Sequence, residues 1–404
     1  YGDHRDLHLS IRRQRQMCIR DRNIPSEDSI VSAAAMIKQS TSPVIIAGGG
    51  VIYSEAEKVL NEFCNNTGIP IGETQAGKGA LPWNHSQNLG AIGVTGTSAA
   101  NIISKDADLV ICIGTRLSDF TTASKTLFQN PDVKFLSINV SSFDAHKHSS
   151  VSLIGDAKKC LERLNHLLKN DGFSISVKYR AEIKQHKNDW NQEVDRIFNL
   201  DNQPTVSQGE VIGVISNCMN EDDVVVCAAG SLPGDMHKLW RSVNGDQYHM
   251  EYGYSCMGYE VAGGLGIKMA KDSGDVFVMV GDGSYLMMNS EIVTAVQESE
   301  KLIIILINNH GFGSINGLSL SLGSKGFGNQ YRKREGSSSD YTGDKLPVDY
   351  AAHAKSMGIE STTVKTRQRL EKAIAQAREN KGSTLIEVLV DLDAKVPGYG
   401  AWWD

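Results

Sequence analysis

A carboxylate between two glycines, Gly281-Asp282-Gly283, and a pair of amides, Asn308-Asn309, are the residues whose types and spacing most directly suggest chemistry. Each follows an apolar run: Val276-Phe277-Val278-Met279-Val280 before the first, Leu302-Ile303-Ile304-Ile305-Leu306-Ile307 before the second. One carboxylate and one neutral amide oxygen suit a hard cation that keeps water and takes further oxygens from a phosphate. That describes Mg²⁺ better than Zn²⁺ or an all-protein Ca²⁺ cage. Gly281 and Gly283 let backbone approach a phosphate closely. A helix opening near Ser284 adds amide hydrogens and a positive dipole end. The pattern reads as a metal-bridged diphosphate site. For the Gly-Asp-Gly alone, Asp282 as an ordinary helix cap is an equal alternative; the Asn pair at the next strand end shifts the balance toward the metal.

The positioning elements follow from the runs themselves. Both are β-branched and lack alternation, as strands covered on both faces of a parallel sheet do. Between them Met288, Ile292, Ala295 and Val296 recur at helical spacing. A right-handed crossover then sets Asp282 and Asn309 side by side at the carboxyl ends of neighbouring strands, where open α/β sheets bind ligands.

Gly281-Asp282-Gly283, the 24 residues 284–307, then Asn308-Asn309, together resemble the signature of thiamine-diphosphate enzymes. The resemblance implies thiamine diphosphate and Mg²⁺ as cofactors. It implies Asp282, Asn309 and the Gly311 carbonyl as metal ligands, with Gly281, Gly283 and Ser284 beside the diphosphate. The turn after Val224-Val225-Val226-Cys227 supplies Gly230 and Ser231 as further diphosphate contacts. Tyr254-Ser255-Cys256-Met257-Gly258 is similar to the segment that bends the cofactor. There Met257 stands for the wedge between its two rings, and the Ser255 carbonyl for the acceptor of the 4'-amino group. Read without the family, Met257 is ordinary core packing.

The rest of the chain fits an α/β protein of two doubly wound parallel-sheet domains. Length favours two or three domains; 40% hydrophobic with 22% charged residues is ordinary for a globular chain. A net charge of -6 argues against a nucleic-acid surface. No apolar run approaches the roughly 18 residues of a membrane span. Seven scattered cysteines without a CxxC pair read as thiols in a reducing, cytoplasmic compartment. Residues 1–22 are basic and unpatterned and stand apart. Strands at Pro43–Ala47, Leu109–Ile113 and Lys134–Ile138, with a helix over about Ser54–Asn65, outline a central domain at 24–170. In some relatives that domain carries FAD, of which the sequence shows no sign. Gly48-Gly49-Gly50 after the first strand invites a dinucleotide reading. Tyr53 stands where a third small residue is needed, so a tight structural turn is favoured. Residues 171–204 read as a linker with one surface helix, 205–396 as the diphosphate- and metal-binding domain, and 397–404 as a tail cut short. Gly323–Asp344, rich in Gly, Ser, Lys and Arg, reads as a mobile loop over the site.

The resemblance also implies a pyrimidine-binding domain whose glutamate activates the cofactor. No stretch of this chain has room for it. Glu73, the one acid in a tempting loop, belongs by resemblance to the central domain, so no catalytic residue is assigned. The expectation is a fragment inactive alone, from a homodimer or homotetramer. The Gly281–Glu291, Asn308–Ile315 and Val396–Trp403 segments look like the branch that hydrolyses a C–C bond of a cyclic 1,2-dione, giving 5-deoxy-glucuronate in myo-inositol breakdown. An acetolactate-synthase-like carboligase acting on 2-oxo acids and a non-catalytic diphosphate-binding module are the alternatives.

Overall fold

The computed structural model describes residues 22–336 and 340–397. All but Arg22 of the basic segment, and the tail from residue 398, lie outside the described residues. Among the described residues twelve strands form two six-stranded sheets, every pairing within them parallel. The first holds β1 (Pro43–Ala47), β2 (Ile71–Glu73), β3 (Asn88–Ala91), β4 (Leu109–Ile113), β5 (Lys134–Asn139) and β6 (Val151–Ile154), in the order β3-β2-β1-β4-β5-β6. The second holds β7 (Val224–Cys227), β8 (Tyr248–Met250), β9 (Val276–Gly281), β10 (Ile303–Asn308), β11 (Glu360–Val364) and β12 (Thr384–Leu389), ordered β11-β12-β10-β9-β7-β8. The expected pair of doubly wound α/β sheets is present.

The unalternating runs are explained by burial on both faces. All six residues of β10 are buried. Ile303, Ile305 and Ile307 join a core shared with the first sheet, while Ile304 and Leu306 join a separate core on the opposite face. The pleat sends successive side chains to opposite faces, and both faces are dry.

Three elements differ from expectation. The β9–β10 crossover is two short helices, Asp282–Met287 and Glu291–Gln297, not one. Ile292 and Ala295 are buried, whereas Met288 and Val296 are exposed, so the apolar spacing overstated the inward face. The helix expected near Ser54–Asn65 runs Glu57–Thr67, and a separate short helix, Gly49–Tyr53, precedes it. The helix of the connecting segment, Val177–Phe198, is no mere surface element: Ile183, Trp190, Val194, Ile197 and Phe198 are buried in the core that joins the sheets. Its wide apolar spacing reflects a narrow buried stripe on a long, charged helix.

The first sheet reverses strand order once and the second twice. In the first sheet the reversal falls between β1 and β4, and the glycine turn after β1 sits there. A Cβ on Gly48 would come within 2.3 Å of the Gly114 carbonyl oxygen. Gly48 is thus required by close packing of two strand-end turns. Gly48→Ala should cost about 1–3 kcal/mol, the range of an overpacked core, read as a lower urea midpoint with an unchanged m-value. An unaltered midpoint would show the turn is free to yield.

Candidate functional site

In the second sheet β9 lies between β7 and β10, and the turns leaving these three strands meet. Registry pairs Ile307 with Gly281, so the Asp282 and Asn309 positions emerge together from adjacent strands. The β7 turn brings Gly230 and Ser231, the latter opening helix Ser231–Leu239.

Asp282 is fully buried. Its Oδ1 accepts the Gly283 amide hydrogen at 2.8 Å and its Oδ2 that of Gly311 at 3.0 Å. Burial pushes its carboxyl up to about 7 against the opposing pull of the Gly311 and Gly283 amides. The two asparagines divide their roles. Asn308 turns inward: its Nδ2 donates to Glu387 Oε1 at 2.7 Å and its Oδ1 accepts from the His310 amide at 3.1 Å. Asn309 keeps a buried Oδ1 that no group hydrogen-bonds. An orphaned acceptor of this kind costs about 1–3 kcal/mol. Beside a buried carboxylate it fits a hard cation as its missing partner.

Glycine is obligatory at the third expected ligand. Gly311 has φ +150°, and a Cβ there would fall 2.3 Å from the Asn329 carbonyl oxygen. Gln330 forms an isolated antiparallel bridge with it, with Phe312 N donating to Asn329 O and Tyr331 N to His310 O. The expected mobile loop is thereby pinned against the site at its middle. Lys325, Arg332 and Arg334 are not among the residues lining the cavity described next.

A cavity of about 940 Å³ opens at these turns. Of the expected site residues, Gly230, Ser231, Ser255, Met257, Gly281, Asp282, Gly283, Ser284, Asn309 and Gly311 all line it. Cβ atoms on Gly230 or Gly281 would meet nothing within 4 Å, so both turns present bare backbone to open cavity. On Gly283 a Cβ would strike the Phe312 ring at 2.7 Å. That glycine therefore serves ring packing as well as ligand access. Ser255 has φ +53°, and its hydroxyl donates to Ala228 O at 3.0 Å. Met257 is half-buried. At its far end the cavity reaches Gly48, Gly50 and Gly114 of the first sheet.

Ser284 differs from a simple diphosphate contact. Its hydroxyl donates to the Glu260 carboxylate, 2.7–2.8 Å from its oxygens, and accepts the Gly258 amide hydrogen at 2.7 Å. Glu260, buried and shifted upward by desolvation, ties the Ser255–Gly258 segment to the helix bearing Asp282. Sequence reasoning missed it because an acid in a first helical turn is an ordinary dipole partner. It also missed Gln208 and Asp235, whose side chains meet at 2.6 Å on the cavity wall. Burial raises Asp235 to about 6. The only signal was Asp235 standing four residues after Ser231, on the same helical face. Glu73 lies elsewhere: it is buried at the end of β2, bound by the Gly79 and Leu81 amides, and does not line this cavity.

Comparison with known proteins gives two family matches. Residues 30–164 match "Thiamine pyrophosphate enzyme, central domain" and residues 228–388 match "Thiamine pyrophosphate enzyme, C-terminal TPP binding domain". Among curated relatives, a protein of Clostridium tetani is 42% identical over 95% of this chain, and one of Bacillus cereus is 44% identical over 95%. Both are named 3D-(3,5/4)-trihydroxycyclohexane-1,2-dione hydrolase. The chain spans 63% of the length of these relatives.

The elevated Asp282 pKa carries a sign. The folded chain holds this proton up to about pH 7, whereas the ordinary carboxyl value is 3.8. The folded state therefore binds more protons in between, and ligand-free stability should fall as pH rises from about 4 to about 7. A cation bound at Asp282 needs the ionised form, so binding below pH 7 must release a proton. Mg²⁺ affinity should climb with pH and level off above about 7. Calorimetry in buffers of different ionisation enthalpy should show a buffer-dependent heat at about pH 6 and none at about pH 8. A pH-independent affinity would remove Asp282 from the ligand set.

Proposed function

We propose, from the premise that this chain belongs to the thiamine pyrophosphate enzyme family, that it carries the thiamine diphosphate- and Mg²⁺-gripping part of a 3D-(3,5/4)-trihydroxycyclohexane-1,2-dione hydrolase. The reaction would be hydrolytic cleavage of a C–C bond of the cyclic dione, giving 5-deoxy-glucuronate in inositol breakdown. The observation that carries the cofactor half is the orphaned Asn309 Oδ1 beside the buried Asp282 carboxylate, both in the wall of one cavity. The substrate half rests on the names of the relatives.

In this reading Asp282, Asn309 and the Gly311 carbonyl hold Mg²⁺. Gly230, Ser231, Gly281 and Gly283 present backbone to the diphosphate, the Ser284 hydroxyl holding the supporting turn in place. Met257 would stand as the wedge between the cofactor's rings and the Ser255 carbonyl would accept from its 4'-amino group. Thiamine diphosphate supplies, when bound, an electron sink for cleavage next to a carbonyl. The chain's own residues bind, orient and exclude water. Gln208 and Asp235 offer a polar wall suited to a hydroxylated ring. Residues 24–170 form the central domain, 171–204 the connection and 205–396 the cofactor-binding domain. The complete enzyme is a homodimer or homotetramer in the cytoplasm, where Cys64, Cys112, Cys160 and Cys227, all buried as free thiols, suit a reducing compartment. No described helix is long and apolar enough to cross a membrane.

Calorimetric titration of the chain with thiamine diphosphate tests the cofactor half. Binding should require Mg²⁺, and Asn309→Ala should weaken it on the order of 10- to 100-fold, the scale seen when a metal site's supporting ligand set is disturbed. Binding that ignores the metal would favour a plain diphosphate-binding module. A ligand-binding curve unchanged by the substitution would dismiss Asn309 as a ligand.

A further inference from the structure

A second, much smaller cavity, sharing only Lys238 with the wall of the large one, lies at the seam where β2, β3, helix Val177–Phe198 and the end of helix Ser231–Leu239 meet. Its volume is about 30 Å³, room for one water-sized particle. Its wall includes Glu73, Lys78, Lys187, Lys238, Trp240 and Arg241. Four of these side chains are cationic and one is anionic.

The hydrogen bonds of this wall leave donors over. Trp240 is 2% exposed, and its buried Nε1–H has no acceptor. Indole nitrogen can only donate. The Lys187 ammonium gives two of its three hydrogens to the carbonyls of Trp83 and Asn88, at 2.8 and 2.5 Å. Lys78, 3% exposed, donates to His237 O at 3.0 Å and lies 3.9 Å from Glu73 Oε2. Lys238 donates to Pro397 O, and Arg241 pairs with Asp195 at 2.7 Å while lying over the Trp83 ring. Of the Glu73 carboxylate, Oε1 takes the Gly79 and Leu81 amide hydrogens, the Asn88 side chain also bonds the group, and Oε2 lies 3.9 Å from the Lys78 ammonium. A water here would find donors in excess and few acceptors for its own hydrogens. An acceptor-only particle of the same size matches better.

We propose that this seam cavity is a binding site for a monatomic halide, chloride in size, that accepts the Trp240 indole hydrogen among the surrounding ammonium groups. A space of about 30 Å³ suits a monatomic ion better than the larger phosphate or sulfate. Burial, aided by repulsion from Lys78 and Arg241, pushes Lys187 down to about 8. A buried anion would relieve that repulsion. Because the wall draws on both sheet domains and the helix between them, the ion would clasp the domain seam. The site does not depend on the cofactor assignment.

The test is thermal unfolding of the chain in sodium bromide or chloride against sodium gluconate at equal ionic strength. A saturable rise in midpoint of about 2–5 °C with either halide, absent with gluconate, is expected. The halide increment should vanish in Trp240→Phe and shrink in Lys187→Met, whatever the starting stability of each variant. Equal midpoints in all three salts, or an increment that survives Trp240→Phe, would overturn the proposal. Should the variants fail to fold, crystals of the unaltered chain grown in bromide decide. An anomalous peak within hydrogen-bond range of Trp240 Nε1 supports the site, and a site holding only water refutes it.

Discussion

A carboxylate with no access to solvent is the constraint on which the site depends. Asp282 is buried at a strand end, its oxygens taking the amide hydrogens of Gly283 and Gly311. Desolvation outweighs the backbone hydrogen bonds to it and pushes the carboxyl up to about 7. Next to it Asn309 leaves an acceptor unsatisfied. Without a cation the arrangement costs stability. Such local costs are the usual mark of a binding site held ready by the surrounding fold.

The surroundings keep these groups from relaxing. Glu387 on β12 takes up Asn308, leaving Asn309 to face the cavity. Gln330 bridges Gly311 and holds its amide on Asp282. Glu260 locks Ser284 and Gly258 together, so the segment expected to bend the cofactor and the helix expected to hold its metal move as one. At the other edge, His237 spans the two sheets. Its Nε2–H donates to Glu73 O at 2.9 Å and its Nδ1 accepts the Thr95 hydroxyl at 2.8 Å. Burial and the nearby Lys78 push His237 down to about 3, so this link stays neutral throughout the working pH range. The cavity wall is therefore braced by neutral hydrogen bonds where it crosses from one sheet to the other.

The cavity's shape follows from the fold more than from any motif. Open parallel sheets gather ligands at the carboxyl ends of strands where the order reverses. Here two sheets present such ends to one space: Gly48 and Gly114 on one side, Gly230, Asp282 and Asn309 on the other. The bare backbone of glycine at these ends is what leaves the space open.

The central strands β1, β4, β5, β7, β9 and β10 were legible in the chain, because apolar runs without alternation suit strands buried on both faces; the short or partly exposed strands β2, β3, β6, β8 and β11 carry no such run and were not. The sequence by itself also determined the pairing of Asp282 with Asn309, because a parallel crossover has one favoured hand. Local punctuation was less legible. The β9–β10 crossover was read as one helix and is two, since apolar spacing does not register a turn such as Met288–Ser290. Tertiary structure alone decided which carboxylates matter. Glu260, Asp235 and Glu73 look alike in sequence, and only their neighbours separate a brace for the cofactor segment, a cavity wall and a seam contact. The unsatisfied Asn309 oxygen and Trp240 nitrogen were likewise invisible in the chain, because a missing partner is a property of three-dimensional surroundings.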